Sequence, residues 1–121
     1  MIHTRDHKTI NIFDQWGYLG PKRRKLLAES WAGLFREHIL NELPVDKLAP
    51  YFHESQGRPT KEMYAAIGAI VLQQAHDLSD EETVDQLAFN TQWHFALDIP
   101  EESDGAKYIC AKTLWNMRKV I

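Results

Sequence analysis

The sequence predicts an all-α fold, a compact bundle of five or six helices, from two features of its middle. Residues 63–72 form a ten-residue run without a charged side chain, which is typical of a helix covered on most sides. Residues 79–82, Ser-Asp-Glu-Glu, form a capping box that marks the start of a second helix. We expect residues 21–121 to form one domain and residues 1–20 a poorly ordered or extended arm, because 121 residues with 44% apolar content suffice for a single core.

The apolar run is the expected centre of the bundle. Pro59 and Thr60 precede it as start signals, and Gln73 follows it. The run is shorter than the roughly 18 apolar residues of a membrane-spanning helix. Gly68 in its middle would allow a neighbouring backbone to come close, at a propensity cost of about 1 kcal/mol.

The second helix is predicted to begin at Ser79, whose hydroxyl accepts from the first turn while the carboxylate of Glu82 accepts from the Ser79 amide. Its apolar face predicts packing on the first helix and an end near Phe89. That face consists of Val84, Leu87 and Ala88. A short, mostly buried aromatic helix should follow between Trp93 and Ile99, and Pro100 marks its end.

The first half of the chain predicts one long helix and a short one. The long helix is indicated by an apolar stripe at helical spacing, formed by Leu27, Trp31, Leu34 and Phe35. A short turn of helix is expected at residues 45–48, and polar loops at residues 53–58 and 101–105. The four tryptophans are expected to be core residues, because large aromatic side chains dominate burial in small domains. They are Trp16, Trp31, Trp93 and Trp115.

Charge is distributed unevenly along the chain. The net charge is −3, but residues 1–61 carry ten Lys or Arg and seven Asp or Glu, residues 62–106 carry none and ten, and residues 107–121 carry four and none. Binding to a DNA backbone requires clustered cations, because each neutralised phosphate releases condensed counterions. The acidic middle is therefore not expected to face a duplex, and any DNA contact must come from the two ends.

The C-terminal segment, residues 111–121, predicts an amphipathic helix. Its apolar side consists of Leu114, Met117 and Ile121, and its opposite side carries Lys112, Asn116 and Lys119. Lys and Asn suit phosphates and adenine edges. This helix could be the second of a helix-turn-helix whose first helix is residues 93–98, although the connection is longer than the usual turn. An ordinary amphipathic helix with a solvated basic side explains the same pattern.

A second basic cluster lies near the N-terminus and consists of Lys22, Arg23, Arg24 and Lys25. Pro21 favours a helix start at this point, which would crowd the four cations at the positive end of a helix. A bound anion such as a phosphate backbone would relieve that repulsion. A helix that begins later, near Leu26, with the basic residues in solvent, would relieve it equally, and of the two we favour the later start.

Four motifs follow one another from residue 58 onward. They are Arg58-Pro-Thr before the long apolar helix, Leu78-Ser-Asp-Glu-Glu-Thr-Val-Asp-Gln-Leu after it, Trp93-His-Phe-Ala-Leu-Asp-Ile, and Lys112-Thr-Leu-Trp-Asn-Met-Arg. In this order they resemble the N-terminal domain of bacterial insertion-sequence transposases, the InsH-like group, from roughly Phe52 to the C-terminus. In that family the domain precedes a DDE catalytic domain and contacts the terminal inverted repeats of the element.

The resemblance implies a non-catalytic domain that binds double-stranded DNA at terminal inverted repeats in DNA transposition. The candidate DNA contacts are Lys112, Asn116, Arg118 and Lys119, with Lys22, Arg23, Arg24 and Lys25 as contacts to phosphates. The alternative is a protein-interaction or oligomerisation module of a truncated transposase, whose helices hold protomers together and whose acidic surface meets a basic partner.

No catalytic, metal or cofactor site is expected. A DDE centre places carboxylates from separated strands and a helix around two metal ions, whereas the carboxylates here are local, at residues 80–85 and 101–104. The six histidines lack partners at metal-ligand spacing. The lone Cys110 cannot form an internal disulfide, and without a signal-like N-terminus a cytoplasmic location is expected. We therefore expect a catalytically silent, excised domain or truncated gene product.

Overall fold

The computed structural model describes residues 14–48, 50 and 62–119. Eight α-helices lie within these ranges: α1 Pro21–Glu29, α2 Trp31–His38, α3 Val45–Leu48, α4 Met63–Ala75, α5 Asp80–Phe89, α6 Thr91–Ala96, α7 Asp104–Lys107 and α8 Ala111–Arg118. Two 3-10 turns, Gly17–Leu19 and Leu40–Glu42, also lie within these ranges. Within these ranges no α-helix has the length and hydropathy that a membrane span requires.

The predicted all-α class is confirmed. The described residues contain more α-helices than the expected five or six, because the predicted long first helix is two helices, α1 and α2, and because α7 begins inside the predicted loop at residues 101–105. Several sequence predictions lie outside the described residues: the arm up to residue 13, the loop at residues 53–58, the start signals Pro59 and Thr60, the motif at Arg58, and the end of the last helix at Ile121.

Helix α4 lies at the centre of the core. It contains the predicted apolar run and continues three residues further, to Ala75, with most of its side chains buried. The Glu62 carboxylate caps its start by accepting from the amides of Tyr64 and Ala65. At its other end the amide of Leu78 donates to the carbonyl of Gln73 at 3.0 Å, a helix-closing bond that ends α4 before the next cap.

The capping box at the start of α5 is confirmed. The Ser79 hydroxyl accepts from the Glu82 amide at 3.1 Å, and the Glu82 carboxylate accepts from the Ser79 amide at 2.9 Å. These bonds to the carboxylate lower the pKa of Glu82 below its ordinary value. The helix ends at Phe89 as predicted, and its most deeply buried side chains are Thr83 and Leu87.

The first half of the chain differs from the prediction, because two helices replace the single long one. Ser30 adopts an extended conformation and caps α2 with a bond from the Ala32 amide. The predicted apolar stripe is therefore interrupted: Leu27 and Phe35 are buried, whereas Leu34 is exposed. The expectation of a helix starting near Leu26 is wrong, because α1 begins at Pro21.

Close packing at the glycines also differs from the prediction. The nearest neighbour of Gly68 is a side chain and not a backbone, since a Cβ added there would lie 2.5 Å from Cδ2 of Leu97. The close backbone approach occurs at Gly33, where an added Cβ would lie 1.9 Å from the carbonyl oxygen of Ala28. Gly33 thus permits the tight contact between α1 and α2.

The tryptophans divide into three environments. Trp16 and Trp93 are buried, and the Trp16 ring packs edge-on against Phe95 of α6 at a centroid distance of 5.4 Å. Trp31 is half-buried against the core, whereas Trp115 of α8 is exposed. The prediction of a core position is therefore wrong for Trp115. The core also includes residues before Pro21, because Trp16 and Leu19 are both buried.

Candidate nucleic-acid interface

One face of α8 is a continuous exposed row of side chains. Lys112, Trp115, Asn116 and Lys119 are all exposed, and their spacing of i, i+3, i+4 and i+7 places them along a single line on the helix. We call these four residues the α8 stripe. Three of them were predicted, and Trp115 was missed although its helical spacing from Lys112 and Lys119 identifies it as a member.

The aromatic and basic members of the α8 stripe contact each other. The Lys119 ammonium lies 3.4 Å from the centroid of the Trp115 ring, which is a cation–π distance. Trp115 is still 48% exposed, so one part of the indole remains accessible beside the lysine. The stripe thus presents a flat aromatic surface together with positive charge.

The opposite face of α8 anchors the helix in the domain. Leu114 and Met117 are buried, and the most extensive helix contacts of α8 are with α5. Helix α6 makes its most extensive contacts with α2 instead. The proposed helix-turn-helix pair, residues 93–98 and α8, is also separated by α7, so each member packs chiefly on a different part of the bundle.

Arg118 lies off the stripe and joins three helices. Its Nη1 donates to Oδ1 of Asp80 and, at 3.2 Å, to Oε1 of Gln73, while its Nη2 donates to Oδ2 of Asp80 at 3.3 Å. The buried Gln73 amide donates to the same Asp80 carboxylate at 2.8 Å. The bonds from Arg118 hold the pKa of Asp80 below its ordinary value, and the carboxylate raises the pKa of Arg118.

The basic cluster of α1 is only partly available to a ligand. Arg24 is committed, because its Nε lies 2.9 Å from Oδ2 of Asp14 and its guanidinium lies 4.8 Å from the Phe95 centroid. Lys25 faces Glu29 at 3.8 Å, an exposed pair that holds little energy. Within the described residues, Lys22 and Arg23 take part in no ion pair.

Some cations of the two ends do pair with the acidic middle. Arg36 lies 2.9 Å from Asp98, Lys107 pairs with Glu102, and Arg118 pairs with Asp80. Lys107 holds the pKa of Glu102 below its ordinary value. Among the described residues Lys112 has no such partner, so the α8 stripe keeps its positive charge.

The histidine and cysteine side chains of the described part engage in local contacts. His94 is buried, with Nε2 at 2.5 Å from the Leu87 carbonyl, and burial lowers its pKa. The Cys110 thiol lies 3.0 Å from the Thr113 hydroxyl at the start of α8. No group of three or more His, Cys, Asp or Glu side chains within residues 14–48 and 62–119 could hold a metal ion.

Comparison with known families matches residues 28–120 of the chain to the transposase domain family DUF772. The chain belongs to this family. No curated protein and no solved structure matches it. The resemblance read from the four motifs is therefore confirmed at the level of a transposase-related domain, while membership in the InsH-like group stays a prediction.

The matched region of the transposase domain contains helices α2 to α8 complete. The α8 stripe and the Arg118 network both lie inside it. The basic cluster at residues 22–25 lies before its first residue. Of the two candidate DNA-contacting segments, the C-terminal one is thus part of the family's shared sequence.

Proposed function

We propose that this transposase domain binds double-stranded DNA at the terminal inverted repeats of its element and takes no part in the chemistry of strand transfer. The α8 stripe is the observation that carries this proposal. It combines two lysines, an amide and an indole on one exposed face whose opposite face is fixed in the core. The membership in a transposase family supports DNA as the ligand.

The members of the stripe suit different parts of a duplex. Lys112 and Lys119, at the two ends of the row, are assigned to backbone phosphates. Asn116, between them, has the donor and acceptor needed for the N6 and N7 atoms of adenine in the major groove. Trp115 offers an apolar surface for a sugar or a thymine methyl group, and its contact with Lys119 holds that lysine over the ring.

Arg118 receives a positioning role in this proposal instead of a direct DNA contact. Its ion pair with Asp80 and its bond to Gln73 fix the last turn of α8 on α4 and α5. A recognition helix must be held rigidly for its side chains to reach base edges in register. Lys22 and Lys25 of α1 are assigned to flanking phosphates, whereas Arg24 is occupied by Asp14.

The carboxylates of the described middle region support a non-catalytic role. Asp80 is engaged by Arg118, Glu82 caps α5, and Glu102 pairs with Lys107. A two-metal centre requires carboxylates that converge on shared ions. In this proposal the chain therefore supplies recognition, and catalysis belongs to another part of the transposase.

Binding to a labelled duplex tests the proposal. The terminal inverted repeat of the element is compared with a shuffled duplex of equal composition by fluorescence anisotropy at low salt. We expect tighter binding to the repeat, and we expect Lys112→Glu to weaken binding to both duplexes by about tenfold or more, because it replaces a phosphate contact with a repulsion. Asn116→Ala should reduce the preference for the repeat while the affinity for the shuffled duplex remains.

Lys47→Glu is the matched control, because it makes the same charge change at an exposed lysine of α3, a helix whose most extensive contacts are with α4. It should leave the affinity nearly unchanged. Affinity for both duplexes no better than millimolar at low salt would refute the proposal. Equal losses for Lys112→Glu and Lys47→Glu would refute the assignment to α8.

A further inference from the structure

The three most exposed large apolar side chains of the described residues belong to the lining of one surface groove or lie within two residues of it in the sequence. They are Phe89 at 83%, Tyr18 at 72% and Leu26 at 67% exposure. Leu26 lines a surface groove of about 250 Å³ between α1 and the start of α6, and Tyr18 and Phe89 flank other residues that line it. The lining residues are Leu19, Arg23, Leu26, Leu27, Thr91 and Gln92.

Scattered exposed apolar side chains are normal on a protein surface, but a cluster at one groove marks an interaction site. Phe89 is the last residue of α5 and precedes Thr91, which lines the groove, by two residues, so the chain brings this exposed side chain near the groove. The patch thus contains both an apolar groove and a large apolar side chain that could fill one. A surface that carries a projection and its receptor side by side can pair with a copy of itself about a two-fold axis.

The charged residues near the groove and near Phe89 have opposite signs. Arg23 lines the groove, whereas Asp85 is exposed and lies one helical turn before Phe89 on α5. Within the part of the chain that the structure describes, neither Arg23 nor Asp85 has an ion-pair partner. If Phe89 of a second copy entered the groove, the Asp85 carboxylate of that copy would therefore approach the unpaired Arg23 guanidinium of the first.

We infer that this patch is a self-association surface, in which Phe89 of one copy occupies the groove of a second copy and Asp85 of the first meets Arg23 of the second. The two-fold relation repeats both contacts. Lys22 and Lys25 are spaced three residues apart on α1, and neither lines the groove, so they stay available for phosphates. The inference does not depend on DNA binding, since a domain that self-associates without binding a duplex would satisfy it alone.

Sedimentation velocity of the full 121-residue chain, from about 1 µM to about 1 mM and without DNA, tests the inference. We expect a reversible dimer whose dissociation constant rises at least about tenfold in Phe89→Ser, because aromatic anchors dominate interface energies. Leu34→Ser, which also removes an exposed apolar side chain, but from α2 and outside the groove lining, should leave the dimer intact.

A charge exchange tests the polar contact separately. Arg23→Glu and Asp85→Arg should each weaken the dimer several-fold, and the double variant should restore it, because the pair is then re-formed with opposite orientation. Both positions are exposed, so circular dichroism should show the native helix content throughout. A chain that stays monomeric over the whole range, or a Phe89→Ser variant that dimerises as the parent does, would overturn the inference. A double variant no better than the single ones would overturn the Arg23–Asp85 contact.

Discussion

The guanidinium of Arg118 fixes the C-terminal helix to the rest of the domain. It bonds to Asp80 at the start of α5 and to Gln73 near the end of α4. A cation in the last turn of one helix and a carboxylate in the first turn of another are both favoured by the helix dipoles. The network is partly exposed, so solvent screens it and its contribution to stability is moderate.

Arg118→Met should lower the free energy of unfolding by about 1–2 kcal/mol at neutral pH. The substitution removes the ion pair of the Asp80 carboxylate and the hydrogen bond to the Gln73 amide oxygen. The folded-state pKa of Asp80 is lowered, so this contribution is fully present above the ordinary aspartate pKa of about 3.9 and is lost as the pH falls through the lowered value. Urea unfolding at pH 7 and at strongly acidic pH measures the difference.

The control for this prediction is Lys112→Met, which removes a cation of the same helix that has no ion-pair partner in the described residues. It should change stability by less than about 0.5 kcal/mol at either pH. A deficit of Arg118→Met that persists unchanged in acid would mean that lost packing of the arginine stem, and not the ion pair, is responsible.

At the scale of single elements, the contact between α1 and α2 depends on one missing side chain. The peptide carbonyl of Ala28 occupies the space in which a Cβ at Gly33 would lie. Backbone atoms cannot move aside as a side-chain end can. The two helices therefore approach each other only because position 33 is a glycine.

Gly33→Ala should destabilise the domain by about 3 kcal/mol or more, because α1 and α2 must separate to admit the new methyl group. Gly68→Ala is the matched change in α4, where the obstacle is the Leu97 side-chain end and where alanine gains about 1 kcal/mol in helix propensity. Its net effect should stay within about 1 kcal/mol. Thermal unfolding of both variants measures the difference, and similar melting temperatures would contradict this account of the α1–α2 contact.

The elements that could be predicted from the sequence are those whose cause is local. The capping box at Ser79 and the apolar run of α4 each need only a few neighbouring residues, and both occur as expected. The break at Ser30 was not predicted, because an apolar stripe crosses it at helical spacing. The bond between Arg118 and Asp80 joins residues 38 apart, so no local pattern could have indicated it.

Trp115 illustrates a second reason for a missed site residue. Apolar residues are usually inside, but much of a folded surface is apolar too, so an aromatic residue alone does not indicate burial. The neighbours decide the matter here: Leu114 and Met117 take the buried face of α8, which leaves Trp115 with Lys112 and Asn116 on the exposed one.

At the scale of the whole molecule, cations are partly sorted from carboxylates. The acidic segment 62–106 draws Arg36, Lys107 and Arg118 into pairs, and Lys112, Lys22 and Arg23 keep their charge free among the described residues. A duplex would meet the α8 stripe and α1, while the exposed carboxylates of α5 would repel it from other approaches. The net negative charge of the chain is therefore compatible with DNA binding, provided that the duplex approaches the side that carries the α8 stripe and α1.

The central claim is that the lysines of the α8 stripe bind DNA phosphates, and the salt dependence of duplex binding tests it most directly. The logarithm of the association constant is measured against the logarithm of the salt concentration for the parent chain and for the Lys112→Gln, Lys119→Gln and Lys47→Gln variants. Each of the first two should make the slope shallower by about 1, because one fewer counterion is released, and Lys47→Gln should leave it unchanged. Slopes that are identical in all four proteins would contradict the claim.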